Sequence, residues 1–171
     1  MRIIVISDTH LPKRGKWLPP SLIQEIEQAD AVLHAGDFMT GDVLDDLLAL
    51  NKNLVGVVGN NDDAEVRRRL KRKEKIRLGG RSIGLIHGDG GVREQTLQRV
   101  WEAFRGEAVD VIIFGHSHLP YLKTAQGTIL FNPGSATEKR RSPYYSYGVM
   151  EIDDEYIRLS HVFYGEEAFA Q

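Results

Sequence analysis

The stretch Ile3–His10, which reads IIVISDTH, decides the fold. Four consecutive apolar residues without polar alternation are typical of a strand that is buried on both faces, as in a largely parallel sheet. Asp8 and His10 follow at the point where the chain leaves this strand. Because ligands of open α/β folds bind beside the carboxyl ends of the strands, the stretch predicts a functional site at one sheet edge.

The first third of the chain repeats this pattern of a buried strand followed by a polar turn. Further buried strands are expected at 31–34 and 54–58, and helices are expected from Pro20 onward and at 41–50. The order is therefore βαβαβ with short connections, which predicts neighbouring parallel strands.

The second half of the chain is richer in strands. A buried strand is expected at 110–114, and three hairpins are expected from strand pairs at 74–78 and 82–86, 121–124 and 128–131, and 147–152 and 156–163. A helix is expected at 93–105, with Leu97, Val100, Trp101 and Phe104 on one face. This arrangement predicts two sheets packed face to face.

The composition excludes several classes of protein. Hydrophobic residues make up 42% of the 171 residues, which is enough for a core, and the formal net charge of −2 gives no overall attraction to nucleic acid. The absence of cysteine excludes disulfides, thiolate zinc sites and a cysteine nucleophile. No apolar run approaches the roughly 20 residues that span a bilayer, and no signal peptide precedes the first strand, so we expect a cytoplasmic protein without a membrane partner.

Polar side chains follow five of the expected strands, and together they form a set of metal-ligand type. The set comprises Asp8, His10, Asp37, Asn60, His87, His116 and His118. Carboxylate and imidazole groups with one amide oxygen are ligands of divalent first-row metals. The convergence of these side chains at one sheet edge predicts a metal site.

The charges of this set favour two ions over one. Asp8 and Asp37 would neutralise a single dication, and seven candidate ligands exceed what one ion takes from protein while leaving room for a substrate. Two ions about 3.5–4 Å apart, bridged by a carboxylate and a hydroxide, would keep about one net positive charge. Such a pair suits an anionic phosphate ester.

Five ordered motifs resemble the signature of the calcineurin-like metallophosphoesterases. They are Asp8-x-His10, Gly36-Asp37, Gly59-Asn60-Asn61-Asp62, His87-Gly88 and Gly115-His116-Ser117-His118. Within this family the chain is similar to the small phosphodiesterases of the YfcE type over nearly its whole length. The resemblance implies a single domain at 1–171 with an α/β fold, a four-layer αββα sandwich around two mixed sheets.

The same resemblance implies a role for each candidate ligand. One metal ion would be held by Asp8, His10, Asp37 and His118, and the other by Asp37, Asn60, His87 and His116, with Asp37 bridging. The implied reaction is the hydrolysis of a small phosphodiester, in which a metal-bound hydroxide attacks phosphorus in line. The ligand types favour manganese and also suit nickel, cobalt, iron or zinc.

Two further residues, Asn61 and Asp62, are the catalytic candidates beside the ligands. Many members of the family have a histidine after the metal-binding asparagine, where it is thought to help the leaving group depart, whereas this chain has Asn61. Asparagine donates a hydrogen bond but no proton at neutral pH, so we expect Asn61 to orient the substrate. We expect Asp62 to orient its neighbours rather than act as an acid.

Other functions stay open at the level of sequence. A phosphomonoesterase would use the same site. A protein-binding scaffold like the retromer subunit of this fold would have an eroded ligand set, which is complete here. The basic run 67–75 is interpreted as a solvated face rather than an RNA contact. Family members often form dimers or tetramers, but the sequence does not fix the oligomeric state, so a homodimer or a tetramer stays open. His34 is expected in the core.

Overall fold

The structure is a computed structural model, and it describes residues 1–13 and 17–170. In this part of the chain ten strands form two five-stranded sheets. The strands are β1 Arg2–Ile6, β2 Ala31–His34, β3 Leu54–Gly56, β4 Lys73–Leu78, β5 Arg81–Ile86, β6 Val111–Ile113, β7 Tyr121–Ala125, β8 Thr128–Asn132, β9 Tyr145–Ile152 and β10 Ile157–Tyr164.

Both sheets are mixed. The first has the order β10-β9-β1-β2-β3, in which β1 is parallel to β2 and antiparallel to β9. The second has the order β4-β5-β6-β8-β7, in which β5, β6 and β8 run parallel and each edge strand closes a hairpin. The three predicted hairpins and the parallel βαβαβ unit are confirmed.

Helices cover the outer faces of the two sheets. The α-helices are α1 Pro20–Gln28, α2 Gly41–Leu50, α3 Ala64–Arg69 and α4 Thr96–Ala103, and short 3-10 helices lie at Arg93–Gln95 and Glu166–Phe169. Thr40 and Asp63 cap α2 and α3 by accepting hydrogen bonds from Val43 and Val66. Across residues 1–13 and 17–170, none of the helices has the length and apolarity needed to cross a membrane.

The core has three apolar layers, which follow from the alternation of side chains along each strand. On β1, Ile4 and Ile6 pack beneath α1 and α2, whereas Ile3 and Val5 pack between the sheets. The third layer joins the second sheet to α4 through residues that include Phe104. The order of layers is therefore helix, sheet, sheet, helix, and the predicted αββα sandwich is confirmed.

The predicted helix at 93–105 needs a correction. Its first turn is the 3-10 helix, α4 ends at Ala103, and Leu97 is 37% exposed although it was expected on the buried face. Val100 and Phe104 are buried as expected, and Trp101 is partly buried against them. Leu97 differs because this end of the helix overlies a cavity rather than the sheet.

The basic run 67–75 spans the end of α3 and the start of β4, and its charges are largely paired. Arg69 lies 2.8 Å from Asp45, and Arg72 lies 2.8 Å from Asp89. Lys73 pairs with Glu107, which follows α4 in the chain. These pairs are consistent with the predicted solvated face, because arginines and lysines held by carboxylates offer little charge to a nucleic acid backbone.

His34 lies in the core, as the sequence predicts. Its side chain is fully buried, its ring stacks on Phe38 at 3.6 Å between centroids, and its Nδ1 accepts a hydrogen bond from the Gly36 amide at 3.1 Å. The Thr9 hydroxyl lies 3.1 Å from its Nε2. Burial lowers the pKa of His34 to about 3, so the ring is neutral and serves as a packing group.

Candidate metal centre

The carboxyl ends of the central strands of both sheets meet at one edge of the sandwich. The Asp8 amide donates to the Gly36 carbonyl at 3.0 Å, which ties the end of β1 to the end of β2. The His116 amide donates to Asp8 Oδ2 at 3.0 Å, and this bond joins the first sheet to the loop after β6. All seven predicted ligands are therefore brought to a single region, although they are spread over 111 positions of the chain, from Asp8 to His118.

Five of the candidate ligands have left-handed backbone conformations. Positive φ angles of 48° to 67° occur at Asp8, His10, Asp37, His116 and His118. Such a conformation is uncommon for residues other than glycine, and a strained backbone position costs on the order of 1–3 kcal/mol. Because strained residues cluster where function requires them, this concentration marks the sheet edge as the site.

Two glycines allow the carboxylates to pack against the backbone. A Cβ atom at Gly115 would collide with Ser7 Oγ and would lie 2.6 Å from Asp8 Oδ2. A Cβ atom at Gly59 would collide with the carboxylate of Asp37. These glycines are required because a backbone segment approaches each carboxylate closely.

Two carboxylate oxygens face three imidazole rings at the centre of this region. Asp37 Oδ2 lies 3.1 Å from His10 Nε2 and 3.3 Å from His87 Nε2. Asp8 Oδ1 lies 3.4 Å from His118 Nε2 and 3.8 Å from the Nε2 atoms of His10 and His87. All five side chains are buried, so the charges interact in a medium of low dielectric constant.

The remaining ligands form the more open side of the centre. Asn60 Oδ1 lies 3.2 Å from His87 Nε2 and 3.1 Å from His116 Nδ1. Asn60 is exposed and His116 is half-buried, in contrast to the buried carboxylates. A substrate therefore has access from the side of Asn60 and His116.

The imidazole rings are held by hydrogen bonds on their other nitrogen. His87 Nδ1 donates to the Ala35 carbonyl at 2.7 Å, and His118 Nδ1 donates to the Glu138 carbonyl at 2.6 Å. His10 Nδ1 lies 3.2 Å from Glu138 Oε2. Since a carbonyl oxygen only accepts, His87 and His118 carry a proton on Nδ1, so in the neutral form of each ring the Nε2 lone pair is directed into the centre.

The pKa values show that the two carboxylates stay ionised and favour positive charge on His10 and His87, whereas burial lowers the pKa of His116 and His118. Burial raises the pKa of Asp8, but His118 and His87 outweigh this effect and lower it to about 2. Burial acts in the same direction on Asp37, whose close contacts with His10 and His87 nevertheless hold its pKa well below the ordinary value. Burial lowers the pKa of His10 and His87, but the two carboxylates raise both to about 9.

The donor set fits divalent cations. Asp8 Oδ1 and His10 Nε2 are buried and make no hydrogen bond with the described residues. Two groups offer ligand atoms within 4.8 Å of one another, namely Asp8 with His10 and His118, and Asp8 with Asp37 and His87. Without metal, the protons on His10 and His87 balance the two buried carboxylates, and a divalent cation could take their place with the Nε2 atoms of the neutral rings as ligands.

The structure places Asn61 and Asp62 on different sides of Asp37. The backbone and side-chain nitrogens of Asn61 donate to the two carboxylate oxygens of Asp37, each at 2.8 Å. Asp62 is buried and accepts from the amides of Gly59 at 2.7 Å, Met39 at 2.8 Å and Asp37 at 3.2 Å. Asp62 thus joins two ligand-bearing loops, whereas Asn61 touches a ligand directly and is itself exposed.

Sequence reasoning missed two residues that support the ligands. Glu138 contacts His10 through its carboxylate and His118 through its carbonyl oxygen. The Arg67 guanidinium donates to the carbonyls of Asp62 at 2.8 Å, Asn60 at 2.9 Å and Gly59 at 3.3 Å. Arg67 lies inside the basic run and Glu138 lies in a loop without periodicity, so only the fold shows what they contact.

Comparison with known proteins gives a consistent result. A sequence model of the calcineurin-like phosphoesterase superfamily domain matches residues 1–155. The chain is 36% identical over 155 residues to a probable metallophosphoesterase of Methanocaldococcus jannaschii, covering 91% of this chain and 78% of that protein. It is 26% identical over 147 residues to a phosphodiesterase of the same organism, covering 78% and 83%.

A solved structure has the same arrangement of sheets and helices. The fold is similar to that of Vps29 from Entamoeba histolytica complexed with zinc, with a TM-score of 0.71 and 27% sequence identity. The match covers 95% of this chain and 99% of that chain. A protein similar to this one in fold and sequence therefore binds a divalent metal.

Proposed function

The chain belongs to the calcineurin-like phosphoesterase superfamily, and we propose that within this family it is a phosphodiesterase that depends on two divalent metal ions. The observation that carries the proposal is the meeting of Asp8 and Asp37 with the imidazole rings of three strand ends in a buried centre. Two buried carboxylates need positive charge beside them, and divalent cations would supply it in place of the ring protons. The diester preference is supported by the relative that is named a phosphodiesterase.

The proposal divides the ligands into two sets. Asp8, His10, Asp37 and His118 would hold one ion, and Asp37, Asn60, His87 and His116 would hold the other. Asp37 Oδ2 is suited to the bridging role because it lies within 3.3 Å of His10 and His87, one histidine from each set. The ligands contain no thiolate, which favours manganese and admits nickel, cobalt, iron or zinc.

Bound divalent ions would supply Lewis acidity toward the phosphoryl oxygens and would lower the pKa of water at the site. Residues around the site fix the orientation of the candidate ligands. Asn61 holds both oxygens of Asp37, and the Ala35 and Glu138 carbonyls fix the ring orientations of His87 and His118. Outer hydrogen bonds of this type orient ligands and tune their basicity.

The presence of asparagine at position 61 affects how the leaving group departs. Its amide already donates to Asp37 and carries no proton that can be transferred at neutral pH. We infer that the leaving alcohol departs without a proton from this position, so that good leaving groups react much faster than poor ones. Asp62 serves as a positioning residue, because its carboxylate binds three backbone amides.

The experiment that tests the proposal compares metals and substrates in one assay. The full chain is stripped with a chelator, then supplied with Mn²⁺, Ni²⁺, Co²⁺, Fe²⁺ or Zn²⁺ and assayed with bis(4-nitrophenyl) phosphate and 4-nitrophenyl phosphate. We expect metal-dependent turnover that is larger for the diester. Larger turnover of the monoester would favour the phosphomonoesterase alternative.

The alternative from another class is a protein-binding scaffold, which the resemblance in sequence left open. Metal binding alone does not separate the two, because the Vps29 of Entamoeba histolytica is itself complexed with zinc. The complete set of candidate ligands favours an enzyme, and absence of turnover with every metal would favour a scaffold. A cytoplasmic location and a homodimer or tetramer are retained as parts of the proposal, and light scattering of the purified chain tests the assembly.

A further inference from the structure

A cavity of about 290 Å³ lies beside the proposed metal centre. Its wall includes Ser117, which stands between His116 and His118 in the chain. Arg140 also lines it, and Arg140 Nε lies 3.5 Å from the Glu138 carboxylate that contacts His10. The cavity therefore adjoins the segment that carries His116 and His118, and its Arg140 side lies next to Glu138.

One part of the cavity wall is apolar. Phe114 and Tyr121 form an aromatic pair with ring centroids 6.1 Å apart. Leu97 and Leu119 complete this part and are 37% and 48% exposed. Apolar side chains that converge in a concave site are typical of ligand pockets, and an aromatic wall suits a flat ring.

The other part of the wall is cationic. Arg93, Arg140 and Arg141 line the cavity together with one carboxylate, Glu94. Arg140 is paired with Glu138, whereas neither Arg93 nor Arg141 makes an ion pair with the residues that the structure describes. Guanidinium groups recognise phosphate oxygens through paired hydrogen bonds, so two arginines in this position suit an anionic ligand.

A phosphodiester at the centre has an alcohol group on each side of phosphorus, and the cavity beside Ser117 offers space for one of them. We propose that the cavity binds this alcohol group and selects a nucleotide-like one, with a flat ring against the apolar wall and a second phosphate on Arg93 and Arg141. The proposal rests on the proposed function, since it assigns a subsite of that same centre. The volume is near the lower end of the roughly 300–1,000 Å³ of small-molecule sites, which suits one nucleotide and not a polymer.

The first test uses three 4-nitrophenyl esters that differ only in the second alcohol. These are methyl 4-nitrophenyl phosphate, thymidine 5′-(4-nitrophenyl phosphate) and its 3′-phosphorylated form. Each releases the same 4-nitrophenolate as water replaces it on phosphorus, so differences in kcat/KM report on the retained alcohol. With the full chain and added Mn²⁺, we expect kcat/KM to rise from the methyl to the thymidine ester and again, by about tenfold or more, with the 3′-phosphate.

The second test removes the cationic part of the wall. In the double variant Arg93→Ala with Arg141→Ala, the ratio of kcat/KM between the 3′-phosphorylated and unphosphorylated thymidine esters should fall to about one. The matched control is Lys123→Ala with Arg158→Ala, which removes two positive charges from exposed positions on β7 and β10 and should keep the ratio. Calorimetric binding of thymidine 3′,5′-bisphosphate provides a readout independent of turnover, and it should weaken by about tenfold or more in the first double variant alone.

The outcomes separate the two proposals. Equal kcat/KM for the three esters, with no difference in bisphosphate binding between wild type and variant, would overturn the cavity assignment and leave the phosphodiesterase standing. Binding of bisphosphate that depends on Arg93 and Arg141, without hydrolysis of any ester, would overturn the phosphodiesterase and support the cavity as a nucleotide site. If the wild type neither hydrolyses any ester nor binds the bisphosphate, both the phosphodiesterase proposal and the cavity assignment would be overturned.

Discussion

Asn61 donates from its backbone and its side chain to the two carboxylate oxygens of Asp37, each at 2.8 Å. One residue therefore fixes the orientation of the carboxylate that we assign as the bridging ligand. The same contact occupies the amide that stands where many related enzymes have a histidine. We therefore expect this position to orient Asp37 and not to transfer a proton.

This relationship leads to a prediction about leaving groups. For a series of aryl methyl phosphates, kcat/KM of the wild type should fall steeply as the pKa of the leaving phenol rises, because Asn61 cannot protonate the departing oxygen. Asn61→His should flatten this dependence by supplying a proton donor, and Asn61→Gln should not. Parallel slopes for Asn61→His and the wild type would contradict this role of the position.

Glu138 is predicted to support metal binding through His10. Its carboxylate lies 3.2 Å from His10 Nδ1, and carboxylates in this position typically raise the basicity of a ligating histidine. Glu138→Gln should weaken metal affinity by about 10–100-fold, as measured by calorimetry with Mn²⁺. Glu155→Gln, at an exposed position between β9 and β10, is the control, and equal affinities for the two variants would rule out the assignment.

Arg67 is predicted to hold the loop that carries Asn60. Arg67→Ala removes hydrogen bonds to three backbone carbonyls, so the free energy of unfolding should fall by about 1 kcal/mol and kcat should fall with it. Arg68→Ala serves as the matched control, because Arg68 is exposed and, within residues 1–13 and 17–170, forms an ion pair with Glu65 of its own helix alone. Urea unfolding and steady-state kinetics measure both effects. Indistinguishable behaviour of the two variants would show that the hydrogen bonds of Arg67 do not support the loop of Asn60.

The pKa values predict how metal affinity depends on pH. His10 and His87 have pKa values of about 9 without metal, so both rings are protonated at pH 7 and must lose a proton to become ligands. Affinity for Mn²⁺ should therefore rise with pH and level off near pH 9. Calorimetry in buffers with different ionisation enthalpies should detect proton release below that pH. A constant affinity between pH 6.5 and 9 would contradict the assignment of these two histidines.

Much of the fold could be predicted because buried strands of parallel sheets have a simple sequence pattern. The apolar runs at 3–6 and 31–34 became β1 and β2, and a polar ligand candidate follows each one. The exposure of Leu97 could not be predicted in the same way. Helical periodicity assigns a residue to a face, but it does not tell whether the sheet or a cavity lies beneath that face.

The candidate ligands could be predicted because each stands directly after a strand, where the chain has a recognisable pattern. The supporting residues could not. Glu138 and Arg67 act through contacts with His10 and with the loop of Asn60, which are 128 and seven positions away in the chain. These contacts are created by the packing of loops at the sheet edge, and neither residue has a distinctive local context.

The most direct test of the central claim is the metal content of Asp37→Asn beside that of the wild type. After equilibration with excess Mn²⁺ and removal of unbound metal, the wild type should retain two ions per chain by mass spectrometry. Asp37→Asn should retain at most one and lose turnover by about 100-fold or more, because the shared carboxylate charge is gone. Two retained ions and full turnover in Asp37→Asn would contradict the two-metal account.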